Sequence, residues 1–115
     1  MNNKELKELQ QYEKLDNKII KLQVERKALN KQSLALYIQE KKIIDKFYKN
    51  ELDMCIITDD KKTLKELKGI YRDIYKENAE KQKNCRELIK ESDTVIKDLT
   101  NELKRIAKKK REIAK

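Results

Sequence analysis

Few residues in this chain could do chemistry: two cysteines, two adjacent aspartates and a run of lysine and arginine. Histidine, the commonest general base and transition-metal ligand, does not occur in the 115 residues. Cys55 and Cys85 are too few for a four-ligand zinc site, and Asp59 and Asp60 suit a turn and the start of a helix. The sequence therefore predicts no catalytic residue, no cofactor and no metal, and hence a non-enzymatic protein.

The two cysteines are predicted to be free thiols that pack as small hydrophobic side chains. In the hairpin proposed below, Cys55 lies near the turn and Cys85 lies on the order of 30 Å away from it. That separation is too large for a disulfide between them. An intermolecular disulfide is the alternative.

Most of the net charge of +9 lies at the end of the sequence. Residues 104–115 contain seven basic residues and one acid. Three hypotheses compete for this segment: cations that compensate a helix dipole, phosphate contact with a nucleic acid, and binding of an acidic protein or an anionic membrane. The candidate phosphate-binding residues are Lys104, Arg105, Lys108, Lys109, Lys110, Arg111 and Lys115. The segment has no aromatic side chain for stacking on bases, so such binding would lack sequence preference.

The composition favours long helices over a compact core. The chain has no proline and one glycine, and 44% of its residues are charged. No stretch approaches the roughly 20 apolar residues that span a bilayer, and residues 1–16 are too charged for a signal peptide. We therefore expect an intracellular, cytoplasmic protein.

Apolar residues recur at steps of three and four in both halves of the chain, which predicts two helices that pair through a heptad seam. In the first half, one heptad position is uniformly apolar, and we call its members the leucine ladder: Leu15, Leu22, Leu29, Leu36 and Ile43. The second half has a matching series from Leu64 to Ile113. The predicted fold is an all-α antiparallel two-helix hairpin, a single domain covering residues 1–115.

The predicted boundaries are helix 1 at about 3–57, a turn at about 58–62 and helix 2 at about 63–114. Thr63 and Glu66 fit a capping box at the start of helix 2. The turn has no glycine, so a left-handed residue there must be an aspartate or a less tolerant type. One helix, bent or continuous through Asp59, is the alternative.

A hairpin whose turn is centred near residues 59 and 60 places Leu29 opposite Leu88 and Ile43 opposite Ile74. It also brings Arg26 level with Asp93 and Glu40 within a turn of Lys81. These pairs would help to fix the register, or lie at the edge of the seam and contribute only tenths of a kcal/mol each.

Further apolar residues flank the predicted seam. The combined apolar surface is wider than the contact between two helices needs. A second copy of the chain, giving a homodimer with four helices, is the simplest cover, and a different protein is the alternative. The predicted partner-binding residues of this flank and of the turn end are Leu34, Tyr37, Ile44, Tyr48, Tyr71, Tyr75, Ile89 and Ile96.

The rings of Phe47, Tyr48, Tyr71 and Tyr75 are predicted to meet near the turn. They form either a plug that stiffens this end or a tip that binds a partner. Gly69 beside them either allows close packing of a facing ring or breaks the helix.

The predicted function is a protein-interaction or assembly module of adaptor, stalk or inhibitor type. Its outline and composition resemble charged two-helix hairpins that serve as stalks or adaptors in secretion systems, tail assemblies and chaperones, although no motif carries the likeness. The alternative is a nonspecific nucleic-acid-binding protein that uses the basic segment.

Overall fold

The computed structural model describes residues 2–114, which form two long helices and no strand. Helix α1 spans Asn2–Ile57 and helix α2 spans Lys61–Ala114. The helices pack as an antiparallel hairpin, which confirms the predicted fold class. The alternative of one helix continuous through Asp59 is wrong.

Three residues, Thr58 to Asp60, reverse the chain. The Thr58 hydroxyl donates to the Met54 carbonyl at 2.8 Å, and the Asp60 amide donates to the Cys55 carbonyl at 3.0 Å, so these two carbonyls near the end of α1 are satisfied. Asp59 adopts φ 53°, the left-handed region that a glycine would occupy more cheaply. The left-handed residue of this turn is thus an aspartate, one of the possibilities that the absence of glycine left open.

Asp60, not Thr63, caps α2. Its Oδ1 accepts from the Thr63 amide at 3.0 Å, and its Oδ2 accepts from the Thr63 hydroxyl at 2.7 Å. These hydrogen bonds to Thr63 lower the pKa of the Asp60 carboxyl. The predicted capping box at Thr63 and Glu66 is therefore wrong, because the aspartate three residues earlier takes the cap and starts the helix at Lys61.

The contacts between the helices divide into two units. The turn unit comprises Asn30–Glu87, and the terminal unit pairs the described residues up to Leu29 with those from Leu88 onward. Within the turn unit, Tyr75 donates to Asp45. Within the terminal unit, Lys27 pairs with Asp93. Both contacts fall close to the predicted register.

The turn unit has a small core of Cys55, Leu67 and Tyr71. Ile44, Tyr48, Leu52, Leu64, Ile74 and Tyr75 pack against it. Cys55 and Cys85 are both free and buried, as predicted for thiols that act as small hydrophobic groups. Most of the apolar burial in this unit therefore lies at the end nearest the turn.

Gly69 lies inside α2, which continues through it without a break. A Cβ built at this position would meet nothing within 4 Å. Neither interpretation of Gly69 is right, since no ring packs against it and no short separate helix precedes it.

The terminal unit is held by alternating apolar and polar contacts. Ile106 is buried, and the fully buried hydroxyl of Ser92 donates to Gln23 at 3.0 Å. Lys110 reaches Glu13 at 3.0 Å. Asp16 is only 5% exposed, and its Oδ2 has no hydrogen-bond partner among the described residues. This unpaired carboxylate oxygen is an unfavourable feature of the interface.

Candidate functional site

The leucine ladder lies on the outside of the hairpin. In the terminal unit Leu15, Leu22 and Leu29 are between 53% and 64% exposed, and in the turn unit Leu36 and Ile43 fall in the same range. The sequence placed these side chains in the seam between α1 and α2. That assignment is wrong, and it leaves a row of large apolar side chains in contact with water.

The interior face of α1 is formed by the residues that follow each ladder residue by one position, together with their neighbours on the same side of the helix. In the terminal unit it includes Asp16, Ile20 and Gln23, and in the turn unit it includes Tyr37 and Ile44, all buried or half-buried. One residue corresponds to about 100° of rotation about a helix axis. The helix is therefore turned by that angle relative to the prediction, while its register along α2 is kept.

Of the eight residues predicted as an exposed flank or tip, four lie on this interior face of α1 and four lie on α2. Tyr71 is buried, and the others are half-buried: Leu34, Tyr37, Ile44, Tyr48, Tyr75, Ile89 and Ile96. None of the eight is exposed, so the flank and the ladder have exchanged places on α1. Binding of a partner by the eight is untested and remains a prediction.

Hydrogen bonds give a physical reason for the exchange. The interior face of α2 carries Asn78, Gln82 and Ser92, all of them buried. Asn78 donates to the Tyr37 carbonyl at 3.0 Å and to Glu40 at 3.2 Å, while Gln82 donates to Asn78 at 2.7 Å. Ser92 donates to Gln23 of α1. Opposite a leucine face Asn78 and Ser92 would lose side-chain partners on α1, and each unsatisfied group costs about 1–3 kcal/mol.

The rotation also changes the predicted charge pairs. Asp93 pairs with Lys27 instead of Arg26, as expected from a shift of one position. The Lys81 Nζ forms a salt bridge with Glu77 of its own helix at 3.4 Å and lies 5.5 Å from the centroid of the Tyr37 ring. Lys81 therefore does not pair with Glu40.

Charged residues border the outward ladder unevenly. Positions one, three or four residues from a ladder member, outside the interior face, hold six cations and two acids. The cations are Lys14, Lys18, Lys21, Arg26, Lys42 and Lys46, and the acids are Glu25 and Glu40. All eight are exposed, and none of the six cations is in an ion pair with another residue between 2 and 114. The border is thus basic in both units.

The middle of the ladder has a neutral border instead. Ala28 and Ala35 are exposed beside Leu29 and Leu36, and Gln32 lies between them on the same face. Small side chains let a neighbouring backbone approach closely, and an amide is neutral at every pH. Ala28 in the terminal unit and Ala35 in the turn unit therefore leave room beside the ladder for another helix.

Three tyrosines near the turn form a cluster inside the turn unit. Tyr48 stacks on Tyr71 with ring centroids 4.4 Å apart, and Tyr75 lies at 6.0 Å from Tyr48. Phe47 is exposed, so three rings meet where four were predicted. The arrangement favours the plug over the binding tip, because the rings face each other across the hairpin.

Carboxylates of α1 accept hydrogen bonds from the hydroxyl groups of two of these tyrosines. Tyr71 donates to Glu51 at 3.0 Å, and Tyr75 donates to Asp45. The hydrogen bond to Asp45, together with desolvation, raises the pKa of Tyr75 to about 12. Desolvation and Glu51 raise the pKa of Tyr71 as well. Both tyrosines therefore act as neutral hydrogen-bond donors that join α2 to α1.

The basic segment is helical through Ala114, and its charged side chains are mostly free to meet solvent. Lys104, Arg105, Lys108, Lys109 and Arg111 are exposed. Lys110 is half-buried and engaged by Glu13. The last candidate, Lys115, lies outside the described residues. Five of the seven predicted phosphate-binding side chains are thus presented to solvent in the terminal unit.

No protein-family model, curated protein or solved structure shows detectable similarity to the chain. Neither helix, within the described residues, has a run that is long and apolar enough to cross a membrane.

Proposed function

We propose that the chain is a non-enzymatic protein-interaction module that binds another helix through the leucine ladder of α1. The observation that carries this proposal is the exposure of the ladder, with side chains such as Leu29 and Leu36 at 64%. A coiled-coil seam carries apolar side chains at two positions of each heptad, and the ladder offers a second helix one of these two positions.

The amount of exposed apolar surface supports the proposal. Each ladder residue leaves on the order of 100 Å² of apolar surface in water, and Phe47 and Met54 extend the row toward the turn. The row then offers several hundred Å², comparable with the largest patches of ordinary monomers, which are often functional, and close to the roughly 800 Å² that one partner buries in a standard interface. A helix that covers the row would bury apolar surface of this order.

A site-specific photo-crosslinking residue tests the proposal in cells. Placed at Gln32, on the ladder face, it should give a protein adduct of defined mass. Placed at Lys31, an exposed position about 100° around α1, it should give little. The adduct should disappear when Leu29→Gln and Leu36→Gln are added. Equal adducts from both positions, or an adduct insensitive to the ladder substitutions, would count against the proposal.

Nonspecific nucleic-acid binding by the basic segment is the second candidate, supported by the five exposed cations of residues 104–111. A labelled DNA duplex and a single-stranded RNA should bind at about 50 mM salt and be released as salt rises. Deletion of residues 104–115 should abolish this binding and leave the crosslink at Gln32 intact. Absence of binding at low salt would remove this candidate.

A further inference from the structure

We infer that the ladder's occupant is an acidic amphipathic helix of another protein, rather than a second copy of this chain or a membrane. The inference rests on the proposed function and adds the chemistry of the partner. It follows from two properties of the ladder: its narrowness and its basic border.

The ladder is too narrow for a membrane surface. Between Leu22 and Ile43 it presents one large apolar residue per heptad, and Gln32 and Gln39 lie directly between its members. A helix that lies in a bilayer interface needs a broad apolar face that sinks into the acyl boundary. A single row of leucines separated by small and amide side chains instead fits the groove between the side chains of one neighbouring helix.

The positive charges beside the ladder disfavour a partner whose own apolar row is bordered by positive charges. Six exposed cations and two acids border the ladder, so the face is strongly basic. A second copy would bring the same cations to the same border, and like charges across a helix pair are unfavourable. A partner with glutamate or aspartate beside its own apolar row would pair with them in both units.

The acidic partner explains why these cations are unpaired in the hairpin. Lys27 of α1 pairs with Asp93 of α2, and Lys110 of α2 pairs with Glu13 of α1. Lys18 and Lys46 border the ladder on the outward face of α1. They have no acid within salt-bridge distance among the described residues. The hairpin therefore satisfies the cations of its inner face and leaves those of its outer face available.

Two synthetic peptides provide the test. Each has about five heptads with leucine at the first and fourth positions; one carries glutamate at the flanking positions and the other carries lysine. The glutamate peptide repels itself and stays largely unfolded when alone, so its gain of helicity on mixing with the full chain reports binding. We expect the glutamate peptide to bind at least about tenfold more tightly than the lysine peptide, and the preference to shrink at high salt.

Matched variants show whether binding uses the ladder. The pair Leu29→Gln and Leu36→Gln should weaken binding of the glutamate peptide by about tenfold or more. The pair Val24→Gln and Ile38→Gln changes two exposed apolar residues of α1 that lie off the ladder, and it should leave binding unchanged. Circular dichroism of each free variant confirms that the hairpin is folded.

Each alternative outcome is decisive. Equal or tighter binding of the lysine peptide, through the ladder, overturns the acidic partner and leaves the proposed function standing. Ladder-dependent self-association, with no binding of the glutamate peptide, does the same and identifies a second copy. Ladder-dependent binding to vesicles containing about one-third phosphatidylserine, without peptide binding, overturns both proposals in favour of a membrane surface. Binding that the control pair reduces as much as the ladder pair overturns the assignment to this face.

Discussion

Replacement of Leu29 by alanine tests the orientation of α1 directly. Complete burial of a leucine side chain is worth about 1.5–3 kcal/mol. Leu29 is 64% exposed, so only about a third of that amount is at stake, and the better helix propensity of alanine offsets part of it. We expect the free energy of unfolding to fall by less than about 1 kcal/mol.

The reference substitution is Leu67→Ala in the core of the turn unit. Leu67 is 9% exposed, and a leucine so placed costs about 2–5 kcal/mol when it is truncated to alanine. The two variants therefore differ by at least about 1 kcal/mol if the ladder faces outward, and they cost similar amounts if the ladder forms the interior seam.

Urea unfolding followed by circular dichroism measures both variants. The dependence of unfolding free energy on urea should be the same in each, since the surface exposed on unfolding hardly changes. A loss of 2 kcal/mol or more for Leu29→Ala at every protein concentration would refute the outward orientation. A loss that disappears on dilution would report self-association through the ladder.

Three further substitutions probe other features. Gly69→Ala should raise the free energy of unfolding by about 1 kcal/mol, because a Cβ there meets nothing within 4 Å; unchanged or lower stability in urea titration would show hidden crowding. Asp16→Leu should stabilise the hairpin by about 1–3 kcal/mol in the same assay, since it removes a buried oxygen without a partner; destabilisation would show that the carboxylate is satisfied. Tyr75→Phe should lose stability near neutral pH but less so toward pH 12. The Tyr75 pKa is raised from 10.0 to about 12, so the stability that its hydroxyl contributes is complete below about pH 10 and is lost as the pH rises through about 12. A difference in melting temperature between Tyr75→Phe and the unmodified chain that stays constant from pH 8 to 12 would contradict this assignment.

The fold class and register followed from local patterns that act over short distances. Absence of proline, steps of three and four and a cluster of turn-forming residues predicted the helices and the position of the turn to within two residues. The register followed because a short turn fixes which residues of α2 lie opposite those of α1. Pairing of Tyr75 with Asp45 shows that this inference was sound.

The face of α1 that meets α2 was not predictable in the same way. The choice between the ladder and the next position depends on whether Asn78 and Ser92 find acceptors on α1, and those acceptors include the backbone carbonyl of Tyr37. Hydrophobicity alone favours the leucines. A test of each face of α1 for partners to the polar residues of α2 would have favoured the correct one, since Gln23 lies within about one helical turn of Ser92 in the predicted register.

The polar contacts of the terminal unit have a mechanical consequence. Glu13 with Lys110, Gln23 with Ser92 and Lys27 with Asp93 lie at successive heights between the two helices. A force that separates the helices at Glu13 and Lys110 loads these contacts one after another, so the pair should peel apart at low force. A force directed along the helix axes strains all three together, and the same contacts then resist as a group.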